Sequence, residues 1–391
     1  MIVGASVLQL PAIIKAKEMG LEVAVVDFNP KAIGINYADK YYNASTIDEE
    51  EVVKAAIDYK PDGIMTLATD MPMRGVARAA ERLNLSSIKY TTALKATDKY
   101  EMIKAFKKSK VASPWYYLVN NYKELSLLED KLTYPCIMKP TDNAGSHGVT
   151  LVSSYKELLE KYEYCHNNSR CGKVIIEEYL IGEEVSVEAI VINGKINILQ
   201  ITDKITTGAP FFVEIGHTQP SRKSAKIQLQ IKALAEQAIK SLDIDKGPCH
   251  IEIMVTDKGP VMIELGARMG GDNIATHLIP LSTGIDMTEV SIRIALGEIP
   301  SIKPSFNQGA AIRYVSAPTG KIKLIEGIDK VRTISEVKEV TFIKNIGDTS
   351  KEINCSNDRI GFIIVQAENA IQASKICENA VKQINIEVSN D

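Results

Sequence analysis

Residues 249–268 read CHIEIMVTDKGPVMIELGAR, and this segment carries the strongest structural signal in the chain. Two apolar runs flank the turn-like residues 256–260, which predicts a β-hairpin. Side chains alternate between the two faces of a strand, so Glu252 shares a face with His250. Glu264 lies among apolar neighbours on the second strand. The hairpin therefore brings two carboxylates into strands that are otherwise predicted to be buried.

Two buried carboxylates repel each other unless a cation lies between them. Mg²⁺ suits this position because it takes oxygen ligands and often joins one or two carboxylates to nucleotide phosphates. Glu252 and Glu264 are therefore candidate metal ligands. Arg268 follows four residues after Glu264 and is placed to bind an anion through two hydrogen bonds. A pair of salt-bridged glutamates is the alternative interpretation.

A second segment, residues 134–149, combines a short apolar strand with a glycine-containing loop. The strand ends at Lys139, and the loop contains Gly145 and Gly148. Glycines allow backbone N–H groups to approach phosphate oxygens closely, and a lysine adds a positive charge suited to phosphate. The GxxxxGK[ST] pattern of a Walker loop is absent. The segment predicts a phosphate-binding loop, and a hairpin whose glycines serve only turn geometry remains the alternative.

Residues 174–188 place two carboxylates between two strands. A buried strand runs into Glu177 and Glu178, and a second strand starts after a short connector. Such a connector can offer backbone groups to an adenine edge and a carboxylate to ribose hydroxyls, although acidic residues near a turn are usually a solvated surface. His217 lies further along in an apparent polar loop between strands, where ligand-binding residues concentrate. A surface histidine without a ligand is the alternative there.

The first hundred residues alternate between strand-like and helix-like segments, which predicts a parallel sheet with right-handed crossovers. A helix at 49–59 is followed by a buried strand at 63–67. A Gly-Ala-Ser turn with Asp27 downstream mimics half of a dinucleotide-binding fingerprint. GxGxxG is missing, so we expect a Rossmann-like structural domain rather than a nicotinamide site. Residues 1–4 read as the second half of a strand, and we expect a few leading residues to be missing.

Composition narrows the classes of partner. The 391 residues carry a net charge of −3, which favours neither nucleic acid nor an anionic membrane as a partner. Six scattered cysteines without CxxC spacing are typical of free thiols in a reducing compartment. No apolar run approaches the length of a membrane span, and the N-terminus lacks a signal-peptide pattern. The sequence thus predicts a cytoplasmic protein with small-molecule partners.

Taken in order, these segments resemble the ATP-grasp superfamily over nearly the whole chain. The resemblance is strongest to the amino-acid ligase and carnosine-synthase-like branch, and more distant to biotin carboxylase and the purine-pathway ligases. It implies a mixed α/β and α+β architecture in three parts. These are a Rossmann-like preATP-grasp α/β domain at 1–92, a nucleotide-binding ATP-grasp core of two subdomains at 93–305, and a C-terminal α+β cap at 306–391.

The resemblance also implies a role for individual residues. Residues matching the nucleotide-binding positions are Lys99, Lys139, Gly145, Ser146, His147, Gly148, Glu177, Glu178, Tyr179, Leu180, Glu184 and Lys204. Glu252 and Glu264 match the two metal-binding glutamates. Lys139 and Arg268 are the implied catalytic residues, and the implied substrate-binding residues are His217, Glu214, Arg268 and Gly271. The family commonly has an asparagine two residues after the second glutamate, whereas this chain has Gly266, which has no side chain to serve as a third metal ligand.

The implied activity is the ligation of a carboxylate to an amine, and the implied carboxylate substrate is an amino acid or another small acid. ATP and Mg²⁺ (or Mn²⁺) are the implied cofactors, an acyl phosphate is the implied intermediate, and a homodimer is expected from the family alone. Two other functions remain open. One is a bicarbonate-using carboxylase of the same fold, which the lack of a biotin-carrier segment in this sequence weakens. The other is an ATP-binding regulator without catalysis.

Overall fold

Strands and helices alternate in the N-terminal part, as the sequence predicts. The computed structural model describes residues 1–143, 145 and 147–389. Three strands pair in parallel in the order β1–β2–β3. The elements of this part are β1 (Ile2–Val3), α1 (Leu10–Glu18), β2 (Ala24–Asp27), β3 (Lys40–Asn43), α2 (Glu49–Tyr59), α3 (Met73–Leu83) and α4 (Tyr90–Thr97).

Helix α2 has the predicted bounds because its N-terminus is capped. The Asp48 carboxylate accepts hydrogen bonds from the backbone N–H groups of Glu50 and Glu51. The strand predicted at 63–67 is wrong in its extent. Only an isolated bridge between Met65 and Ile2 forms, because β1 is two residues long and offers little to pair with.

The next part is a small antiparallel sheet with the strand order β4–β7–β5–β6. Its elements are α5 (Lys99–Lys108), β4 (Tyr116–Val119), α6 (Tyr122–Ser126), β5 (Cys136–Pro140), β6 (Thr150–Val152), α7 (Tyr155–Asn167) and β7 (Val174–Glu178). Apolar side chains from the sheet and from α7 form its core. Lys139 lies near the end of β5, as predicted.

A long antiparallel sheet makes up the next part of the molecule. Its central elements are β8 (Glu183–Ile192), β9 (Lys195–Thr206), β10 (Glu214–Gln219), α8 (Ala225–Ser241), β11 (Gly247–Thr256) and β12 (Gly259–Gly266). The predicted hairpin is β11–β12, and Glu252 and Glu264 are direct cross-strand partners. Helix α8 packs against this sheet and closes the core on that side. A π-helical turn at Ile274–Leu278 leads into α9 (Ile279–Thr283) and α10 (Met287–Ala295).

The long sheet continues into the C-terminal part, in the order β12–β11–β8–β9–β10–β13–β17–β15. The C-terminal elements are β13 (Gly309–Val315), β14 (Gly320–Glu326), α11 (Ile328–Arg332), β15 (Val337–Phe342), β16 (Thr349–Ser350), β17 (Gly361–Ala367), α12 (Ala370–Val381) and β18 (Asn385–Ser389). Strands β16, β14 and β18 form a separate small sheet. Among the helices in the described part of the chain, none combines the length and apolar character needed to cross a bilayer.

Candidate active site

A cavity of about 590 Å³ lies where the small sheet, the long sheet and the N-terminal part meet. Most of the predicted site residues line it. These are Lys99, Lys139, Gly145, His147, Glu177, Glu178, Tyr179, Leu180, Glu184, Lys204, Glu214, His217, Glu252, Glu264, Arg268 and Gly271. Gly148 does not line the cavity. Its backbone has φ +81°, and a Cβ at this position would lie 2.7 Å from atoms of Pro140 and Asn168, so the turn and the close packing both require a glycine. Ser146 lies outside the described residues.

Each glutamate of the hairpin is paired with a lysine. Lys99 Nζ lies 2.8 Å from Glu264 Oε1, and Lys204 Nζ lies 3.1 Å from Glu252 Oε1. Burial alone would raise the pKa of the Glu252 carboxyl, but Lys204 and His250 hold it well below its usual value. Both carboxylates therefore face the cavity with a cation beside them.

Lys204 is the centre of a cluster of acidic groups. Its side chain is 3% exposed and contacts Glu184, Glu214 and Glu252. Burial would lower the pKa of the Lys204 ammonium, and the surrounding carboxylates raise it well above its usual value instead. The pKa of Glu184 is raised, because burial outweighs the attraction of the lysine. One ammonium thus compensates several negative charges, so the cluster has an excess of carboxylates.

Lys139 and Glu177 form a second buried pair, with 2.6 Å between Nζ and Oε2. The two residues lie on adjacent strands β5 and β7. In this conformation the Glu177 carboxylate is paired with Lys139, and its contact with a nucleotide stays a prediction. Glu178 is exposed at the end of β7, and the ring of Tyr179 lies 6.1 Å from that of Phe212.

His250 on β11 forms a buried pair with Glu188 on the adjacent strand β8. His250 Nδ1 lies 2.5 Å from Glu188 Oε1, and its Nε2 lies 3.4 Å from Glu252 Oε1. Burial would lower the pKa of His250, and Glu188 raises it to about 9. The sequence analysis assigned Glu188 no role. The sequence signal that could have identified Glu188 is the one that identified Glu252, namely a carboxylate in an otherwise apolar strand.

Arg268 is held by a residue from the N-terminal part. Its Nε and Nη2 atoms lie 2.9 Å and 2.7 Å from the two carboxylate oxygens of Asp70. Its Nη1 donates to the backbone carbonyl of Met269 at 3.1 Å. Asp70 was missed by sequence reasoning because 198 positions separate it from Arg268.

His217 is fully buried in strand β10, so the predicted polar loop is wrong at this position. It lies opposite Lys204 on β9. Within the described part of the chain, neither ring nitrogen has a hydrogen-bond partner. Its Nε2 lies 3.7 Å from Asp272, which is too far for a hydrogen bond but close enough for electrostatic interaction.

Asp272 joins this region to the C-terminal part. Both of its oxygens accept hydrogen bonds from Arg359 at 2.9 Å, and the Arg359 guanidinium lies 3.8 Å from the ring centroid of Tyr314. Burial would raise the pKa of Asp272, but His217 and Arg359 hold it far below its usual value. Neither Asp272 nor Arg359 was assigned by sequence reasoning, because their pairing depends on how β17 joins the long sheet.

Comparison with known proteins identifies two domains in the chain. The ATP-grasp domain matches residues 132–277, and L-amino acid ligase C-terminal domain 2 matches residues 313–389. Alanine–anticapsin ligase of Bacillus subtilis is 27% identical over 268 residues, which are 63% of this chain and 56% of that enzyme. The chain thus spans little more than half the length of that relative.

Two further relatives align over most of the chain. Phosphoribosylamine–glycine ligase of Methanobrevibacter smithii is 26% identical over 379 residues, covering 89% of this chain and 85% of that enzyme. The crystal structure of L-amino acid ligase from Bacillus licheniformis superposes with a TM-score of 0.85 at 23% identity, covering 100% of this chain and 98% of that one.

The two curated relatives named above are both ligases. The two domain matches together cover more than half of the chain. The chain thus contains an ATP-grasp domain, and its C-terminal domain is of the L-amino acid ligase type.

Proposed function

We propose that this protein uses ATP and Mg²⁺ (or Mn²⁺) to phosphorylate an amino acid or another small carboxylic acid and joins the product to an amine. The observation that carries the proposal is the convergence of lysines and glutamates on one cavity. Lys99, Lys139 and Lys204 face it together with Glu252 and Glu264. Its volume of about 590 Å³ lies in the range of small-molecule sites.

Glu252 and Glu264 fit a divalent cation. They are cross-strand partners, and each already has an ammonium group beside it. The described residues include no cluster of three or more histidine, cysteine or acidic side chains that could hold a metal alone. This suits Mg²⁺, which takes its remaining ligands from phosphates and water. When bound, the metal would neutralise charge on the transferred phosphoryl group.

The lysines would change partners when nucleotide binds. Lys99 and Lys204 neutralise the two glutamates here, and a metal ion would take over that task. Lys99, Lys139 and Lys204 would then be available to phosphate oxygens, as the resemblance implies. Tyr179, Leu180 and Glu184 line the cavity. We expect the first two beside adenine and Glu184 beside the ribose hydroxyls.

The reaction would take place in two steps. A carboxylate oxygen of the substrate attacks the γ-phosphorus of ATP, and the bond from that phosphorus to the bridging oxygen breaks, so ADP leaves. The amine nitrogen then attacks the acyl carbon, phosphate leaves with the bonding electrons, and the amine loses a proton. Lys139 would offset charge in the first step and Arg268 would hold the acyl phosphate. The loop with Gly145 and His147 would exclude water.

The two organic substrates would lie beside Arg268, His217, Glu214 and Gly271, which we name the substrate end of the cavity. Lys99, Lys139, Lys204, Glu184, Glu252 and Glu264 form the nucleotide end. We expect a cytoplasmic location, because all six cysteines are free thiols. A homodimer is expected from the family resemblance.

A pairwise screen of carboxylates and amines tests the proposal. The purified protein with MgATP should release ADP only when a suitable acid is present, and should form an amide when an amine is added. ADP release with bicarbonate alone would favour the carboxylase function instead. ATP binding without turnover on any pair would favour a regulator.

A further inference from the structure

The contact between Asp70 and Arg268 joins two parts of the molecule at the cavity wall. Asp70 precedes α3 in the N-terminal part, where its backbone carbonyl accepts a hydrogen bond from Met73 N at 3.0 Å. Arg268 follows β12 of the ATP-grasp domain. Both side chains are nearly buried, with exposed fractions of 13% and 14%. Both line the cavity.

The geometry of this pair leaves part of the guanidinium available. Asp70 takes the edge formed by Nε and Nη2, and Met269 O takes one N–H of Nη1. A guanidinium has five N–H groups, two on each terminal nitrogen and one on Nε. One N–H on each terminal nitrogen therefore has no partner among these contacts, and a pair of this kind binds an oxyanion well.

Gly266 makes this approach possible. A Cβ at this position would lie 2.5 Å from Asp70 Oδ1 and 3.0 Å from Arg268 Cζ. Real Cβ atoms do not approach other atoms so closely, so any larger residue would displace the carboxylate. The glycine that replaces the family's asparagine is thus explained sterically, because the Asp70 carboxylate fills the space next to it.

We propose that Asp70 is a positioning residue, which orients Arg268 so that its two remaining N–H groups hold the acyl phosphate for the amine. This inference rests on the proposed function. The role of Gly266 is to admit the Asp70 carboxylate. When Asp70 cannot hold Arg268, the intermediate is expected to be lost to water, so ATP is consumed without ligation.

Coupling between ATP use and acyl transfer tests this role. Hydroxylamine serves as the probe amine, because its nitrogen attacks the acyl carbon of an acyl phosphate, phosphate leaves, and a hydroxamate forms. The carboxylate is the one that gives most ADP release in the screen above. We measure the ratio of ADP released to hydroxamate formed. Asp70→Asn and Gly266→Ala should each raise this ratio at least about fivefold, with the KM for ATP within twofold of the parent.

A matched control breaks another ion pair between the same two parts of the molecule. Lys15 on α1 lies 3.1 Å from Asp286 and away from the cavity. Lys15→Gln should keep the parent's ratio. A double variant, Asp70→Gly with Gly266→Ala, should be no more uncoupled than Asp70→Gly alone, because the added methyl group then has no carboxylate to displace.

The outcomes separate this inference from the proposed function. A parent protein that forms no hydroxamate with any acid contradicts the proposed function itself. A parent that forms hydroxamate, with both single variants keeping its ratio, overturns only the role of Asp70. If Asp70→Asn fails to fold, Gly266→Ala decides the question, since it removes no charge. A parallel loss of ADP release and hydroxamate at an unchanged ratio also overturns the positioning role.

Discussion

The nucleotide end and the substrate end of the cavity treat their polar groups differently. At the nucleotide end, Lys99, Lys139 and Lys204 each contact a carboxylate within 3.1 Å. At the substrate end, His217 is fully buried and, among the described residues, its ring nitrogens have no hydrogen-bond partner. In the first region each of these lysines already has a carboxylate partner, whereas the second carries polar atoms whose partner would be the substrate.

This difference has an energetic meaning. A buried ion pair loses several kcal/mol when one partner is removed, because the other charge is left without compensation. An unsatisfied buried polar group is itself destabilising, by about 1–3 kcal/mol. Substitutions at the nucleotide end should therefore cost stability as well as activity, whereas removal of His217 should cost activity alone.

The largest effect is expected at Glu264. Glu264→Gln keeps the shape of the side chain but removes the charge that would hold the metal, so ATP turnover should fall by at least about 10²-fold. The measurement is substrate-dependent ADP release, with circular dichroism to check the fold. Asp257→Asn, an exposed change in the turn of the same hairpin, is the control. Normal ADP release from Glu264→Gln would contradict the metal assignment.

The next effect concerns stability at the nucleotide end. Lys204→Met leaves Glu184, Glu214 and Glu252 without their shared cation, which should lower the free energy of unfolding by about 3–5 kcal/mol. A divalent cation at this site replaces that charge, so Mg²⁺ should recover more stability in the variant than in the parent. Thermal unfolding with and without Mg²⁺ measures this. An equal response of both proteins would argue against a metal near Glu252.

At the substrate end, His217→Leu should cost far less stability than Lys204→Met. The leucine removes two buried ring nitrogens that have no hydrogen-bond partner among the described residues and loses the 3.7 Å interaction with Asp272, so the free energy of unfolding should change by no more than about 1 kcal/mol. Amide formation should fall by at least about tenfold, while ATP affinity stays the same. Urea unfolding, ligation assays and nucleotide titration report the three quantities. A destabilised variant with full ligation would remove the contrast between the two ends.

The smallest effect is a pH dependence at Asp272. Its folded-state pKa is far below the unfolded value, so it stabilises the protein above about pH 4, and this contribution is lost as the pH falls towards the folded pKa. Asp272→Asn should therefore be less stable than the parent at pH 7, and the gap in melting temperature should narrow towards pH 3. The exposed Asp329→Asn is the control. A gap independent of pH would mean that Asp272 stabilises the fold without its charge.

Sequence patterns predicted the parts of the site that are local in the chain. Two apolar runs around a turn predicted the hairpin that carries Glu252 and Glu264, and the pairing of β11 with β12 confirms this hairpin. Lys139 was found because it lies at the end of a short apolar strand. These features depend on strand periodicity and turn chemistry, which act over a few residues.

The remaining parts depend on contacts between distant segments. Asp70 with Arg268, and Arg359 with Asp272, are pairs between different parts of the molecule, and no local pattern indicates them. His217 appeared to lie in a loop because its neighbours are polar, but β9 and β13 pair with it on both sides and bury it. Glu177 looked like a free carboxylate, and its partner Lys139 became apparent only with the pairing of β5 and β7.

The continuity of the long sheet has a consequence for any shortened form of this protein. Strand β10, which carries His217, hydrogen-bonds to β13 from the C-terminal part. A chain that ended near residue 305 would leave β10 as an open edge with unpaired backbone groups. Such an edge invites pairing with other chains, so the fragment would tend to aggregate. By pairing with β10, the C-terminal segment thus prevents another chain from pairing with this strand next to the cavity.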